Sequence, residues 1–238
     1  MLRLLKVLFT ITGFTLSLWL LISVIWGPKL AVQMSENPVS TTPGDVGLVY
    51  EDVRVSSNGL ELEGWWMPAK KPRGVVLFAH GAGSNRTSWF LPSLEFYRTL
   101  VELDLSVITI DMRNHGNSPI TDGELGMGSK EWPDIIAVSD WLDSQGYSTV
   151  PKIGISLSMG GATTIYAVTQ GLALDAMVLI DPLLNTTDAL MQGGWVAFGL
   201  PSTLFAPMAW AATRLGELPY GPLDAGQLAE SLETPTLI

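Results

Sequence analysis

Between Arg73 and Pro182 the chain alternates continuous apolar runs with helical patterns, and this alternation narrows the fold more than any other feature. "RGVVLFAHG", "LSVITIDMR", "VPKIGISLS" and "LDAMVLIDP" are short and rich in β-branched residues, as strands buried on both faces are. Between them stand "TSWFLPSLEFYRTLVEL", "SKEWPDIIAVSDWLDSQG" and "MGGATTIYAVTQG". These read as helices, the second opened by Ser129 with acidic residues early and ended by Gly146. Strands alternating with helices of about 10–15 residues predict an α/β fold, a mostly parallel twisted sheet with helices on both faces. Ahead of them "LVYEDVRVSS" and "LELEGWWMP" are alternating segments split by Asn58-Gly59, which predicts an antiparallel hairpin. Residues 183–222 break the rhythm. They are apolar, aromatic and interrupted by Gly and Pro, and are expected to form a partial lid of short helices. The final "LETPTLI" begins what reads as a further buried strand.

The first 30 residues belong to a different physical class. From Val7 to Trp26 the chain runs twenty residues without a charge, enough at about 1.5 Å per residue to cross a hydrocarbon core of roughly 30 Å. The region 4–26 is therefore expected to be an uncleaved membrane anchor. A cleaved signal peptide is the rival, but its apolar core is usually about 7–15 residues and ends in a small-residue site, which "WGPKLAVQM" supplies poorly. Arg3 and Lys6 precede the run and Lys29 follows it. The positive-inside rule then predicts a cytoplasmic N-terminus and an extracytoplasmic soluble part. Residues 27–47, rich in Pro, Ser, Thr and Gly, read as a tether. The expected organisation is thus an anchor over 1–30, a linker over 31–47 and one domain over 48–238.

Charge excludes some partners. The 13 basic residues less Arg3, Lys6 and Lys29 leave ten beyond Leu30, against 23 acidic ones. A domain this acidic lacks the footprint of a nucleic-acid binder. With no cysteine there is no disulfide framework, thiol nucleophile or thiolate zinc site. No carboxylate and histidine cluster has metal-ligand spacing, and no cofactor is expected.

The chemistry concentrates in "GISLSMGGA", Gly154 to Ala162. A nucleophilic serine on a sharp strand-to-helix turn needs small neighbours, because its backbone is strained and adjacent chains pass close. Two frames compete, centred on Ser156 and on Ser158. Ile153, Ile155 and Leu157 alternate up to the turn, and Gly160-Gly161 open an Ala- and Thr-rich helix, so the residue between strand and helix is Ser158. Serine rather than glycine then occupies the position two residues upstream. "HGAGSN" follows the third strand, where backbone N–H groups can face a developing oxyanion, and "DMRNHGNS" follows the fourth.

In this order and at these element positions the three segments resemble the α/β-hydrolase fold superfamily, in its serine esterase and peptidase-like members. The resemblance runs from about Tyr50 to Ile238. It implies that Ser158 attacks a carbonyl to form an acyl-enzyme on a small-molecule, lipid or peptide acyl substrate. It implies that the N–H groups of Met159 and Ala82 hold the oxyanion, and that Asp111, Arg113 and His115 fix a loop beside the site. The family's triad runs Ser, acid, His, yet the only histidines are His80 and His115, both upstream of Ser158. The acid and histidine are therefore expected beyond Ile238, in a chain cut within a strand. Two alternatives stay open, a non-catalytic binding protein on the hydrolase fold and an enzyme using His80 as base. Asp181 is a candidate acid, or only a strand-ending Asp-Pro turn. Trp65-Trp66 read as packing, and Glu61 and Glu63 as a solvated strand face.

Overall fold

The computed structural model describes residues 2–34, 37–88 and 91–238. Among them are eight α-helices, α1 (Leu2–Ile25), α2 (Gly27–Val32), α3 (Ser93–Glu102), α4 (Trp132–Ser144), α5 (Met159–Thr169), α6 (Thr186–Phe198), α7 (Ala206–Arg214) and α8 (Ala225–Ala229). Seven strands join one sheet, β1 (Glu51–Ser57), β2 (Leu60–Met67), β3 (Gly74–Ala79), β4 (Leu105–Ile110), β5 (Lys152–Leu157), β6 (Ala176–Ile180) and β7 (Thr236–Leu237). The chain divides into two compact units, Met1–Gln33 with Asn185–Tyr220, and Met34–Leu184 with Gly221–Ile238.

The larger unit carries the sheet, in the order β1-β2-β4-β3-β5-β6-β7. The β1–β2 hairpin turns where expected, with Asn58 at φ 49° and Gly59 at φ 82°, the paired left-handed residues of a two-residue hairpin turn. β2 is antiparallel to β4, and β3, β4, β5, β6 and β7 run parallel. Register sorts the core. Phe78 stands opposite Ile155 and Ile155 opposite Val178, and with Val76 and Val107 they pack against Tyr97 and Leu100 of α3. The other face takes α5, whose Ala162, Ile165 and Tyr166 meet Met177 and Leu179 of β6 and Ala225 of α8.

Local chemistry moves some boundaries. The helix expected to open at Ser129 begins at Trp132, with Pro133 in its first turn. Ser129 Oγ instead donates to Gly126 O at 2.6 Å, and the Glu131 carboxylate accepts the N–H groups of Gly126 and Gly128 at 2.7 and 2.9 Å. Residues 126–131 therefore close a turn of their own. α3 begins only after Pro92, and Trp89 and Phe90 of the expected helix lie outside the described residues.

The expected linker is ordered where it is described. Its first two residues end α2, and Pro43–Val46 form a 3-10 turn closed by Thr42 and Asp45. Asn37 and Val39 bond to Gly83 and Asn117 of the sheet-bearing unit. Side-chain amides and turn geometry, which leave no apolar period, hold this segment down.

The smaller unit corrects the expected domain boundaries. Asn185–Tyr220 group with the N-terminal helices rather than with 48–238. α7 packs on α1 and α2, so closely that a Cβ on Gly27 would stand 2.6 Å from Met208 Cγ. α6 folds onto the following 3-10 turn, Ser202–Phe205. A Cβ on Gly194 would stand 2.4 Å from Phe205 Cγ, and the Phe198 and Phe205 rings stack at 5.8 Å. α1 spans 24 residues, with a mean hydropathy of 2.1 over its apolar stretch. It is long and apolar enough to cross a membrane, and its place near the N-terminus is also that of a signal sequence.

Candidate active site

The strand order decides where a ligand can approach. From β3 the chain moves to β4 on one side, and later to β5 on the other. The loops leaving the C-terminal ends of β3 and β5 therefore diverge above neighbouring strands, the crevice where parallel α/β sheets bind ligands. Ala79 is paired with Ser156, so His80-Gly81-Ala82 and Ser158 leave the sheet side by side.

Ser158 stands between β5 and α5 at φ 51°, ψ −117°. A non-glycine residue there is strained by roughly 1–3 kcal/mol, and neighbours over-determine it. Its N–H donates to Ile180 O at 3.0 Å, and its carbonyl accepts Gly161 N–H at 2.9 Å and Leu183 N–H at 3.0 Å. The small residues are required by space. A Cβ on Gly160 would lie 2.3 Å from Ala79 O, and one on Gly161 2.8 Å from Pro182 Cβ. Ser156, the rival serine, is fully buried, its Oγ 2.6 Å from Thr164 Oγ1. Ser158 is half-buried, and its hydroxyl bonds to no described residue.

The loop after β3 passes directly over this turn. A Cβ on Gly81 would stand 3.3 Å from Ser158 Cβ. The N–H groups of Ala82 and Met159 donate to no described residue, Met159 because it opens α5, whose first amides have no intrahelical acceptor. His80 holds the loop. It is fully buried, with Nδ1 2.9 Å from Gly81 O and Nε2 3.1 Å from Met112 N. A carbonyl only accepts and an amide only donates, so the proton sits on Nδ1 and the Nε2 lone pair is already engaged. Burial pushes its pKa down to about 4. The reading of His80 as base is thereby corrected, since both ring nitrogens are spent on backbone groups. A second clamp comes from Asn37, whose Nδ2 donates to Gly83 O while its backbone carbonyl accepts Asn85 Nδ2.

The segment after β4 is built around two buried carboxylates. Asp111 accepts Arg86 N–H and Asn117 N–H at 2.8 Å each. It pairs with the buried Arg86 guanidinium at 3.7 Å, which lies over the Trp65 ring. Burial raises the Asp111 pKa against the pull of that guanidinium. A Cβ on Gly116 would fall 2.2 Å from this carboxyl group, so the glycine of "DMRNHGNS" is a steric requirement. Ser118 Oγ donates to Asp111 O at 2.6 Å and accepts Glu63 N–H at 2.9 Å. Asp134 of α4 takes Arg113 N–H, the Arg113 guanidinium and Ser57 Oγ. His115 is buried against His80, ring centroids 4.8 Å apart, with Nδ1 2.8 Å from Arg113 O. Burial and the neighbouring imidazole hold its pKa down to about 3.

Several side chains with this work escaped the sequence reading. Arg86, Asp134 and Asn37 stand far from the motifs they brace, and only the early acidic position of Asp134 in its helix hinted at a task. Trp65 and Trp66 are core residues. Trp65 Nε1 donates to Asp52 at 3.1 Å, and Trp66 meets Trp141 and Tyr147 edge-on. Asp181 follows β6, exposed, at φ 45°. Among the described residues no group of three His, Asp or Glu side chains stands close enough to hold a metal ion.

A seven-stranded, mostly parallel sheet of this order, with a strained serine at the switch point, defines an α/β architecture. The sequence model of the Alpha/beta hydrolase family matches residues 76–235, and the chain belongs to that family. No curated protein matches it. Among solved structures it is similar to the Pyrococcus furiosus esterase Pf2001, at 21% identity and a TM-score of 0.69, over 86% of this chain and 74% of that one. It is also similar to the Pyrococcus horikoshii acylaminoacyl peptidase, at 16% identity and a TM-score of 0.57, over 79% of this chain and 31% of that one. A lipase in its open form matches at 20% identity and a TM-score of 0.51, over 67% of this chain and 56% of that one. At these identities the likeness is one of fold.

Proposed function

We propose that the protein is a serine hydrolase cleaving an ester, thioester or amide through an acyl-enzyme on Ser158. The observation that carries this reading is the left-handed φ of Ser158 at the strand–helix junction, beside two N–H groups without described acceptors. Ser158 Oγ adds to the substrate carbonyl and loses its proton to a base. Met159 and Ala82 N–H hold the oxyanion, each donor contributing about 3–4 kcal/mol to the transition state. The tetrahedral adduct collapses as the alcohol, thiol or amine leaves with that proton, and water repeats the sequence on the acyl group. Membership of a hydrolase family, with an esterase among the solved structures of similar fold, supports this class.

The base is not one of the chain's two histidines. His80 has no free lone pair, and His115 is buried with its basicity suppressed. The reading therefore assigns no base among the described residues, and the chain is expected to be a poor catalyst as it stands. The test is hydrolysis of a short-chain p-nitrophenyl ester in detergent, with and without imidazole as an external base, for wild type and Ser158→Ala. The expected result is a small Ser158-dependent rate that imidazole raises. A wild-type rate more than about a hundredfold above the mutant without imidazole contradicts the missing base, because losing one triad member alone leaves only about 10³–10⁴ over water. No Ser158-dependent rate under either condition contradicts the nucleophile.

The same proposal includes anchorage through α1, the N-terminus cytoplasmic and the sheet-bearing unit outside. The charge pattern of Arg3 and Lys6 before the apolar run supports it. Protease added to the extracytoplasmic side of sealed vesicles should digest the chain beyond Leu30; protection there would reverse the orientation.

A further inference from the structure

The smaller unit leaves apolar surface that nothing in the catalytic reading uses. From Ala189 to Thr213 the chain runs 25 residues without a charge, bracketed by Asp188 and Arg214. This length would suffice for a membrane span, yet the structure breaks it. α6 has 13 residues and α7 has nine, about 20 Å and 14 Å at 1.5 Å per residue, so neither crosses roughly 30 Å of hydrocarbon. Thr186–Phe198 and Ser202–Arg214, α7 with the 3-10 turn before it, are bent by 117° to one another around Gly199, at φ 67°, and Pro201.

Their outward faces are apolar. Val196 is 73% exposed and Phe198 70%, with Trp195 and Trp210 about half exposed. Such a cluster is foreign to a surface facing water, whereas tryptophan on short apolar helices belongs at a membrane interface. Position names the occupant. Gly27, the first residue after the α1–α2 junction, touches Met208 of α7. That junction follows Ile25, where the apolar span ends beside the exposed Trp26. α7 is therefore held at the end of α1. Arg214, the first charge after the uncharged run, lies with its guanidinium 3.9 Å from the Tyr220 ring centre, an aromatic and cationic pair suited to the headgroup layer.

We propose that residues 189–213 form an interfacial hairpin, inserted into one leaflet of the bilayer that holds α1, on the side where α1 ends. This rests on the anchor reading above and is independent of the chemistry at Ser158. In this arrangement the hairpin enters and returns without crossing, and α1 supplies the depth.

The chain has no cysteine, so single labels are straightforward. Nitroxide spin labels on Val196→Cys, Phe198→Cys, Phe14→Cys and Glu102→Cys occupy exposed sites, and none displaces a core side chain. The full chain is reconstituted into phosphatidylcholine vesicles and each label is probed with oxygen and with a water-soluble nickel chelate. The expected result is loss of nickel access with gain of oxygen access at 14, 196 and 198 relative to 102, with 196 and 198 shallower than 14. Nickel access at 196 and 198 with a lipid-exposed label at 14 would overturn the hairpin and leave the anchor standing. Little access to either reagent at 196 and 198 would mean that protein covers the hairpin, as a lid or a second copy, and would also overturn it. Labels at 196 and 198 as deep as 14 would indicate a second span. Nickel access at 14 would reject the anchor, and with it the shared bilayer.

Discussion

Lowering the pH from 7 to 5 is expected to destabilise the sheet-bearing unit through two buried imidazoles, and replacing one of them should remove about half of that effect. His80 and His115 are buried, and their pKa values are held down to about 4 and about 3, chiefly by loss of water. In the unfolded chain each returns to about 6.5. At pH 5 the unfolded chain thus binds two protons that the folded chain refuses. The stability these groups contribute is complete above about 6.5 and is lost as pH falls toward the folded values. Each spans about 1.5 units between 6.5 and pH 5, so at about 1.4 kcal/mol per unit each loses about 2 kcal/mol. The rings touch and share part of this effect, so about 4 kcal/mol is the sum expected for the pair as an upper figure. Asp111 and Glu131, whose pKa values burial raises, work in the opposite direction, which makes a comparison of variants the cleaner assay. His115→Asn places an amide N–H near the position of Nδ1, keeps the bond to Arg113 O and abolishes the titration. Urea unfolding of both chains in detergent, followed by tryptophan fluorescence at pH 7 and pH 5, measures the difference. The wild type should lose about 2 kcal/mol more than His115→Asn over this interval. Equal losses would refute the assignment of acid sensitivity to the buried rings.

Three substitutions probe the supports of the site. Gly160→Ala drives a Cβ to 2.3 Å from Ala79 O, and is expected to lower stability by about 2–3 kcal/mol and abolish Ser158-dependent hydrolysis, checked by urea titration and ester assay. Asp134→Ala strips the acceptor from a guanidinium that is only 15% exposed and from Ser57. A loss of about 3–5 kcal/mol is expected from the same unfolding titration. Asn37→Ala frees Gly83 O and leaves in place the backbone carbonyl that accepts Asn85 Nδ2; it should cost about 1 kcal/mol in that titration and slow acylation of Ser158 by a larger factor than Asp45→Ala, a control on the same segment.

Residues that act through chain-local rules were legible before any coordinates. Asn58-Gly59 announced its hairpin because only a left-handed pair fits that turn, and the four apolar runs announced parallel strands because both their faces are covered. The turn at Ser158 was readable from Leu157 and Gly160, which mark the last strand position and the close approach of β3. What escaped depends on distance along the chain. Nothing near Asn37 points to the loop at Gly83, 46 residues on. Nothing near Arg86 points to Asp111, and the two nitrogens of His80 are satisfied by groups that no side-chain pattern encodes. The helix start at Trp132 was missed because Glu131, a residue that reads as helical, spends its carboxylate on the preceding turn. The grouping of 185–220 with the N-terminal helices was missed for a similar reason. Apolar helices look alike whether their faces meet a sheet, another helix or lipid.

The account rests on Ser158 as the nucleophile, and covalent mapping tests it most directly. The chain is treated in detergent with a fluorophosphonate in the presence of imidazole, digested, and the modified residue located by tandem mass spectrometry. The account predicts a phosphonyl group on Ser158, absent in Ser158→Ala and retained in Ser156→Ala, whose hydroxyl is buried against Thr164. A phosphonyl group on Ser156, or labelling that persists undiminished in Ser158→Ala, would contradict it.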